Sequence, residues 1–352
     1  MSTHSLSHLI PHPRRLVEFG GHEGAHRVAI RAGISVAIPL AVLFSTGHLD
    51  LSLYAVFGSF TALYGRAHSY VTRLRMQASA GLALVVAVVI GTAIAVSPAR
   101  TGLVVPIAAV AAAIATFLAD ALDWHPPGAL FFVFALAACA SVPAEPRGIR
   151  VALLLASASA ILAMVVSTAG FARPGSRRRQ PTALAVSFAV AAAKPGELSK
   201  VLSVGAAVLV AGAIPTVTGL GHPYWAMVSA TAALGAADVT GRIVRAGQRV
   251  LGTLIGVALA AALLSVTAAP AALIVLVVLL QAGAELFVGR NYGVTMVFVT
   301  PLALIMSQLA HPSLSAALFS DRALETLLGA AVGIGVAVAN VLVATRRRPS
   351  VS

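Results

Sequence analysis

Long runs of apolar residues, almost free of charge, recur along this chain and leave it few ways to fold. The stretch from Ala78 to Val96 holds no charged side chain at all. A helix needs about 20 such residues to cross the roughly 30 Å hydrocarbon core of a bilayer. No water pairs backbone N–H and C=O groups there, so only helices and closed barrels cross it. A barrel would alternate in segments of about 10 residues, and these runs do not. The reading is therefore all-α, a polytopic integral membrane protein. Composition agrees. Hydrophobic residues make up 59% of the 352 and charged residues 10%, against about 45–50% and 25% in soluble domains.

Twelve membrane helices are expected, at about Val28–Ser45, Leu51–Tyr64, Ala78–Val96, Gly102–Leu118, Gly128–Val142, Val151–Phe171, Val201–Leu220, Tyr224–Ala237, Val250–Val266, Ala271–Phe287, Tyr292–Leu309 and Ala323–Thr345. They divide the chain into a polar N-terminal tail (1–27), a first six-helix membrane repeat (28–171), a basic cytoplasmic linker (172–200), a second six-helix repeat (201–345) and a basic C-terminal tail (346–352). Residues 182–193 are apolar but too short to span, and read as an interfacial helix or the start of the seventh span. With the N-terminus cytoplasmic, only Arg100, Arg147, Arg150 and Arg322 of the 24 basic residues fall outside. Positive charge collects on the cytoplasmic side, so both termini are placed there. Asp50, Asp238, Asp321 and Glu325 look interfacial.

The formal charge of +13 does not point to nucleic acid, because the basic residues lie between apolar runs rather than on one face. One cysteine, Cys139, excludes an internal disulfide and a thiolate metal cluster. No apolar signal-peptide core opens the chain. His4, His8 and His12, and His22 and His26, recur at helical spacing. Pro11 and Pro13 interrupt them, so the reading is a solvated tail without a metal.

The two halves repeat. Residues 54–65 align without gaps on residues 224–235, with identity at Tyr54/Tyr224, Ser59/Ser229, Thr61/Thr231, Ala62/Ala232 and Gly65/Gly235. A basic stretch follows each block, with Arg75 matching Arg245. Both halves start on the same side, so the repeat is parallel. The spans carrying these blocks have about 14 apolar residues, or about 21 Å of helix. Short segments at matching places in two repeats point to a midplane binding site. Candidate substrate-binding residues are Tyr54, Ser59, Thr61, Tyr224, Trp225, Ser229 and Thr231: rings to stack on, hydroxyls to orient a carboxylate. The same residue types also anchor helices at membrane edges and pack them together. Pro301 should free the Val297 carbonyl and kink its helix. With Thr300, which could re-satisfy the backbone, it is a candidate gate or kink. Asp120, Asp123 and Glu285 are candidate proton-coupling acids. Arg290, five residues after Glu285, is the candidate grip for a substrate carboxylate.

Three motifs carry a family resemblance: His222-Pro-Tyr-Trp-Ala-Met, Arg290-Asn-Tyr-Gly-Val-Thr-Met-Val-Phe-Val-Thr-Pro-Leu-Ala-Leu304, and His125-Pro-Pro-Gly-Ala-Leu-Phe-Phe-Val-Phe-Ala135. With them the chain resembles the fusaric acid resistance protein-like (FUSC) family of the aromatic acid exporter group, over roughly residues 26–345. The resemblance implies export of small aromatic or other organic anions across the bacterial inner membrane, driven by the proton gradient. Several members carry a large soluble domain between the halves; here the connection is only about 29 residues, so partner contacts made through that domain do not carry over, and the expected partners are a homo-oligomer or a periplasmic export partner. The plant aluminium-activated malate channel family is a more distant likeness, and makes a passive anion channel the alternative. No phosphate loop and no H-E-x-x-H zinc motif is present, so no cofactor is expected. An enzyme acting on lipid or polymer precursors ranks behind both transport readings. A reporter active only outside the cytoplasm should be active when fused after Arg100 and silent after Arg179 and Arg348. Silence at Arg100 would overturn the span count.

Overall fold

The computed structural model describes residues 12–21, 25–66, 68–169, 188–236, 238–310 and 316–346. Helices account for all the regular structure among them. They are α1 (Ala25–Thr46), α2 (Ser52–Ser59, with 3-10 turns Leu49–Leu51 and Phe60–Leu63 on either side), α3 (Tyr70–Val96), α4 (Arg100–Ala121), α5 (Leu130–Ser141), α6 (Pro146–Thr168), α7 (Phe188–Ala193), α8 (Glu197–Thr218), α9 (Tyr224–Ala233), α10 (Val239–Val266), α11 (Pro270–Phe287), α12 (Tyr292–Ala310) and α13 (Ala316–Arg346). Among the described residues, nine are long and apolar enough to cross a membrane: α1, α3, α4, α6, α8, α10, α11, α12 and α13. With the short α2, α5 and α9 they occupy the twelve expected places. The short α7 is separate from the seventh span. Gly196, at φ +84°, turns the chain between α7 and α8. Residues 182–187, His4, His8, His22 and Arg177 to Arg179 lie outside the described residues.

The parallel repeat is visible in which helices touch. Within the first half α3 packs on α5 and α6, and α2 on α6; within the second α10 packs on α12 and α13, and α9 on α13. Between the halves, α1 packs on α11 as α8 packs on α4, and α5 on α9 as α12 on α2. Each contact has its counterpart after exchange of halves, as a two-fold along the bundle requires. Local signals repeat too. Gly47 and Gly219, at φ +75° and +78°, end α1 and α8, a left-handed position that glycine takes at no steric cost. Ser69 caps α3 by accepting from Thr72 N, and Asp238 caps α10 by accepting from Gly241 N at 2.7 Å. Exposed side chains such as Ile30, Leu82, Val110, Leu154 and Leu279 face outward, toward lipid.

The two short helices can stop inside the bundle because protein encloses them. Every residue of α9 is buried, and all of α2 except Leu53. A broken helix at membrane depth still leaves carbonyls needing donors. Arginines supply them. Arg73 donates from Nε to Gly65 O (3.3 Å), from Nη2 to His68 O (3.0 Å) and from Nη1 to Ser167 O (3.2 Å). Gln77 donates to Tyr64 O. In the second half Arg245 donates to Ala232 O (2.9 Å) and Arg242 to Ala236 O (3.0 Å). The gap-free match of Arg75 with Arg245 is therefore not one of role. Arg75 is exposed, and Arg73 does the corresponding work.

Three expectations are corrected. The basic stretches before Ala78 and Val250 are helical, belonging to α3 and α10, because side-chain caps start those helices upstream. Glu325, read as interfacial, and Arg322, counted among the outside charges, both lie within a helix. The last helix begins at Ala316, seven residues before the expected start, and buries both at 2% and 0% exposure. The described part of the N-terminal tail is docked rather than loose: Asn291 Nδ2 donates to Leu16 O and Glu18 O, and Gln248 Nε2 to Leu16 O.

Close packing of the short helices depends on glycine in each half. A Cβ on Gly58 would overlap the Ala156 carbonyl of α6, and one on Gly329 of α13 would overlap the Ala226 carbonyl of α9. Gly58→Ala and Gly329→Ala should each destabilise the purified protein by about 1–3 kcal/mol. Gly335→Ala, where a Cβ meets nothing within 4 Å, should not. Thermal unfolding in detergent checks all three, and equal midpoints would remove glycine packing as the cause.

Candidate functional site

A cavity of about 520 Å³ lies between the halves, at the end of the bundle opposite the basic loops. The short helices and their neighbours line it: Phe57 from α2 and Phe60 from the 3-10 turn after it, Phe134 from α5, Tyr224 and Trp225 from α9, Ser307 and Gln308 from α12. Its wall is a chain of rings. Phe57 meets Phe134 edge-on at 5.0 Å, and Phe134 stacks on Tyr224 across the halves at 6.2 Å and 18°. Trp225 stacks on His222 at 4.8 Å and 20°. Such a wall offers faces and edges to an aromatic body.

Charge stands directly behind this wall. His222 joins its ring Nδ1 to Asp321 Oδ2 at 3.1 Å, and its backbone N–H donates to Glu325 Oε1 at 2.8 Å. The carboxylate thus sits where the N-terminal end of α9 presents its free N–H groups. Arg322 places its Cζ 5.0 Å from the centre of the Trp225 ring. Deeper in the second half, Arg249 Nη1 donates to the Tyr292 hydroxyl at 2.7 Å. Arg245 lies 3.8 Å over the same ring.

The structure brings some of the expected site residues together and leaves others apart. Tyr224 and Trp225 line the cavity; Tyr54 is buried beside it without contributing to its lining. Ser59 donates to Ser35 O and Ser229 to Thr326 O, each joining two helices. Thr231 donates to Met227 O in its own helix, and Thr61 packs against Gly81. α12 runs on through Pro301, and Gly256 of α10 packs against Thr300 and Pro301. Among the described residues the Thr300 hydroxyl finds no hydrogen-bond partner, so it does not re-satisfy the backbone there.

Glu285 pairs with Arg66 of the first half, not with Arg290. A step of five residues turns a helix by about 140°, and α11 has already ended at Phe287. Arg290 instead donates to Gly20 O at 3.4 Å, beside Phe19 and Phe287. Asp120 pairs with Lys200 of α8. Asp123 is exposed at φ 50°, and with His68 and His125 offers three ligand atoms within 4.8 Å of one another. That group could hold a metal ion at the basic end.

Residues 206–336 match the family described as fusaric acid resistance protein-like. Two of the three motifs that carried the resemblance, those beginning at His222 and Arg290, fall inside the matched segment. The chain is also similar to the uncharacterized membrane protein YvaC of Bacillus subtilis (strain 168), with 29% identity over 138 residues, 39% of this chain. The matched stretch spans 22% of that relative. No solved structure matches. The FUSC match covers all of the charged side chains behind the cavity wall. Sequence reasoning missed these, together with Arg249 and Arg66. The available signal was a charge within reach of an apolar run.

The pair between the halves makes a direct test. Arg66→Ala leaves Glu285 buried without its partner and should cost about 3 kcal/mol. Adding Glu285→Gln should restore much of that loss. Thermal unfolding of the single and double variants checks it, and additive losses would mean the pair is not a unit.

Proposed function

We propose that the protein exports small organic anions, aromatic carboxylates in particular, and binds them in the cavity between its halves. The ring-lined cavity with a guanidinium behind Trp225 carries this reading. Its volume falls within the roughly 300–1,000 Å³ usual for small-molecule sites. A benzoate-sized ring fits among Phe57, Phe134 and Tyr224, while the carboxylate turns toward the charged side. The family match adds support for transport, and on this reading an ion gradient drives it. His222, Asp321 and Glu325 are the protonatable groups nearest the cavity. They take precedence as coupling residues over Glu285, Asp120 and Asp123, which stand at the far end, two of them in pairs with basic side chains. The setting is the bacterial inner membrane with both termini cytoplasmic. The second reading is a passive anion channel of the same architecture.

Benzoate flux into proteoliposomes tests this. Wild-type protein should drive uptake that follows an imposed proton gradient and collapses with a protonophore. Flux indifferent to the gradient would favour the channel. Trp225→Leu should lower flux at least tenfold at low benzoate, whereas the outward-facing Leu154→Ala should leave it unchanged. Equal flux in wild type and Trp225→Leu would remove the cavity from the route.

A further inference from the structure

Two guanidinium groups lie inside the second half at 2% exposure each, Arg249 on α10 and Arg322 on α13. They are within electrostatic reach of each other, and Glu325 is the acid that faces Arg322. Among the described residues neither Nε has a hydrogen-bond partner. Asp321 and Glu325 stand close to Arg322, whereas the bonds of Arg249 go to neutral groups, the Tyr292 hydroxyl and Met296 Sδ, and an apolar interior holds such a charge only when something compensates it.

The groups fall in a row. Helix α10 enters from the basic end, so at 1.5 Å per residue Arg245 lies about 9 Å and Arg249 about 15 Å along it. Helix α13 enters from the opposite end and carries Arg322 about 9 Å in. Tyr292 joins Arg245 to Arg249, and Trp225 joins Arg322 to the cavity. The packing of α13 on α9 does not need the charges of Arg322 and Glu325. Ser159 of α6 faces Gly58 as Gly329 of α13 faces Ser229. In that register Arg322 corresponds to the fully buried Ala152, and Glu325 to Leu155. The first half builds the same helix pair from apolar residues.

We propose that Arg249 and Arg322 are two carboxylate-binding stations on one route through the second half, between the basic end and the cavity. This deepens the transport reading and names its binding groups. Each planar fork can take a carboxylate through two parallel hydrogen bonds. The Trp225 face holds Arg322 in place, and the Tyr292 hydroxyl does the same for Arg249. A carboxylate leaving one fork meets the next before it meets lipid.

The chain has two tryptophans, so Trp124→Phe leaves Trp225 as sole reporter beside Arg322. In this protein, purified in detergent, iodide should quench fluorescence saturably and benzoate should relieve the quenching. Acrylamide quenching should ignore benzoate. Equilibrium dialysis should find two benzoates per chain. Arg249→Gln should leave one, still sensed by Trp225. Arg322→Gln should leave one that Trp225 no longer senses. Linear iodide quenching untouched by benzoate would overturn the proposal without any arginine variant having to fold. So would a stoichiometry unchanged by Arg249→Gln. These measurements need no transport: absent benzoate flux alongside them would remove the export reading and leave the stations standing.

Discussion

The need to pair backbone carbonyls where a helix stops in an apolar interior governs this architecture. Helices α2 and α9 end partway through the bundle. Their last carbonyls carry partial negative charge and have no water to turn to. Arg245 reaches in from α10 to donate to Ala232 O in the last turn of α9, and Arg73 and Arg242 donate to Gly65 O and Ala236 O in the loops that follow the two helices. The basic stretch after each short helix therefore has a structural duty beyond orienting the chain. Because those arginines ride on the first turns of the next helix, the loop, the broken helix and its successor are held as one unit in each half.

Symmetry sets the frame and its breaking sets the chemistry. The contacts exchange cleanly between the halves, yet the side chains do not. Helix α2 and the turn after it give the cavity Phe57 and Phe60, while α9 gives Tyr224 and Trp225 with His222 at its start. Behind α9 stand Arg322 and Glu325; the corresponding places behind α2 hold alanine and leucine. A cavity at the join of two such halves has one apolar wall and one wall backed by charge. That polarity suits a ligand with a hydrophobic body and an ionic end.

The sequence made the nine long helices legible because lipid exposure writes itself as long uncharged runs. The same signal hid the helix starts. Tyr70 to Gln77 and Val239 to Arg249 are helical but charged, so hydropathy alone started the helices too late. Arg322 and Glu325 were hidden for a related reason: charge near the edge of an apolar run looks like a boundary, and only packing against α9 turns it inward. The short paired segments did lead to Tyr224 and Trp225. No local pattern could have paired Glu285 with Arg66, 219 residues away, nor docked residues 16–20 on Gln248 and Arg290. Those contacts arise from the two-fold arrangement of the halves.

The ion pairs also distinguish the two ends of the bundle. Among the described residues, the pairs joining one half to the other are Arg66 with Glu285 and Lys200 with Asp120, and both lie at the basic end. At the cavity end, His222 and Asp321 belong to the same half, and the halves meet there through rings. Charged pairs fix position and direction, whereas stacked rings tolerate sliding. A movement that opened the basic end would have to part both pairs. One that narrowed the cavity could keep them intact and shift Phe134 against Tyr224. The halves are thus joined by ion pairs at the basic end and by stacked rings at the cavity end.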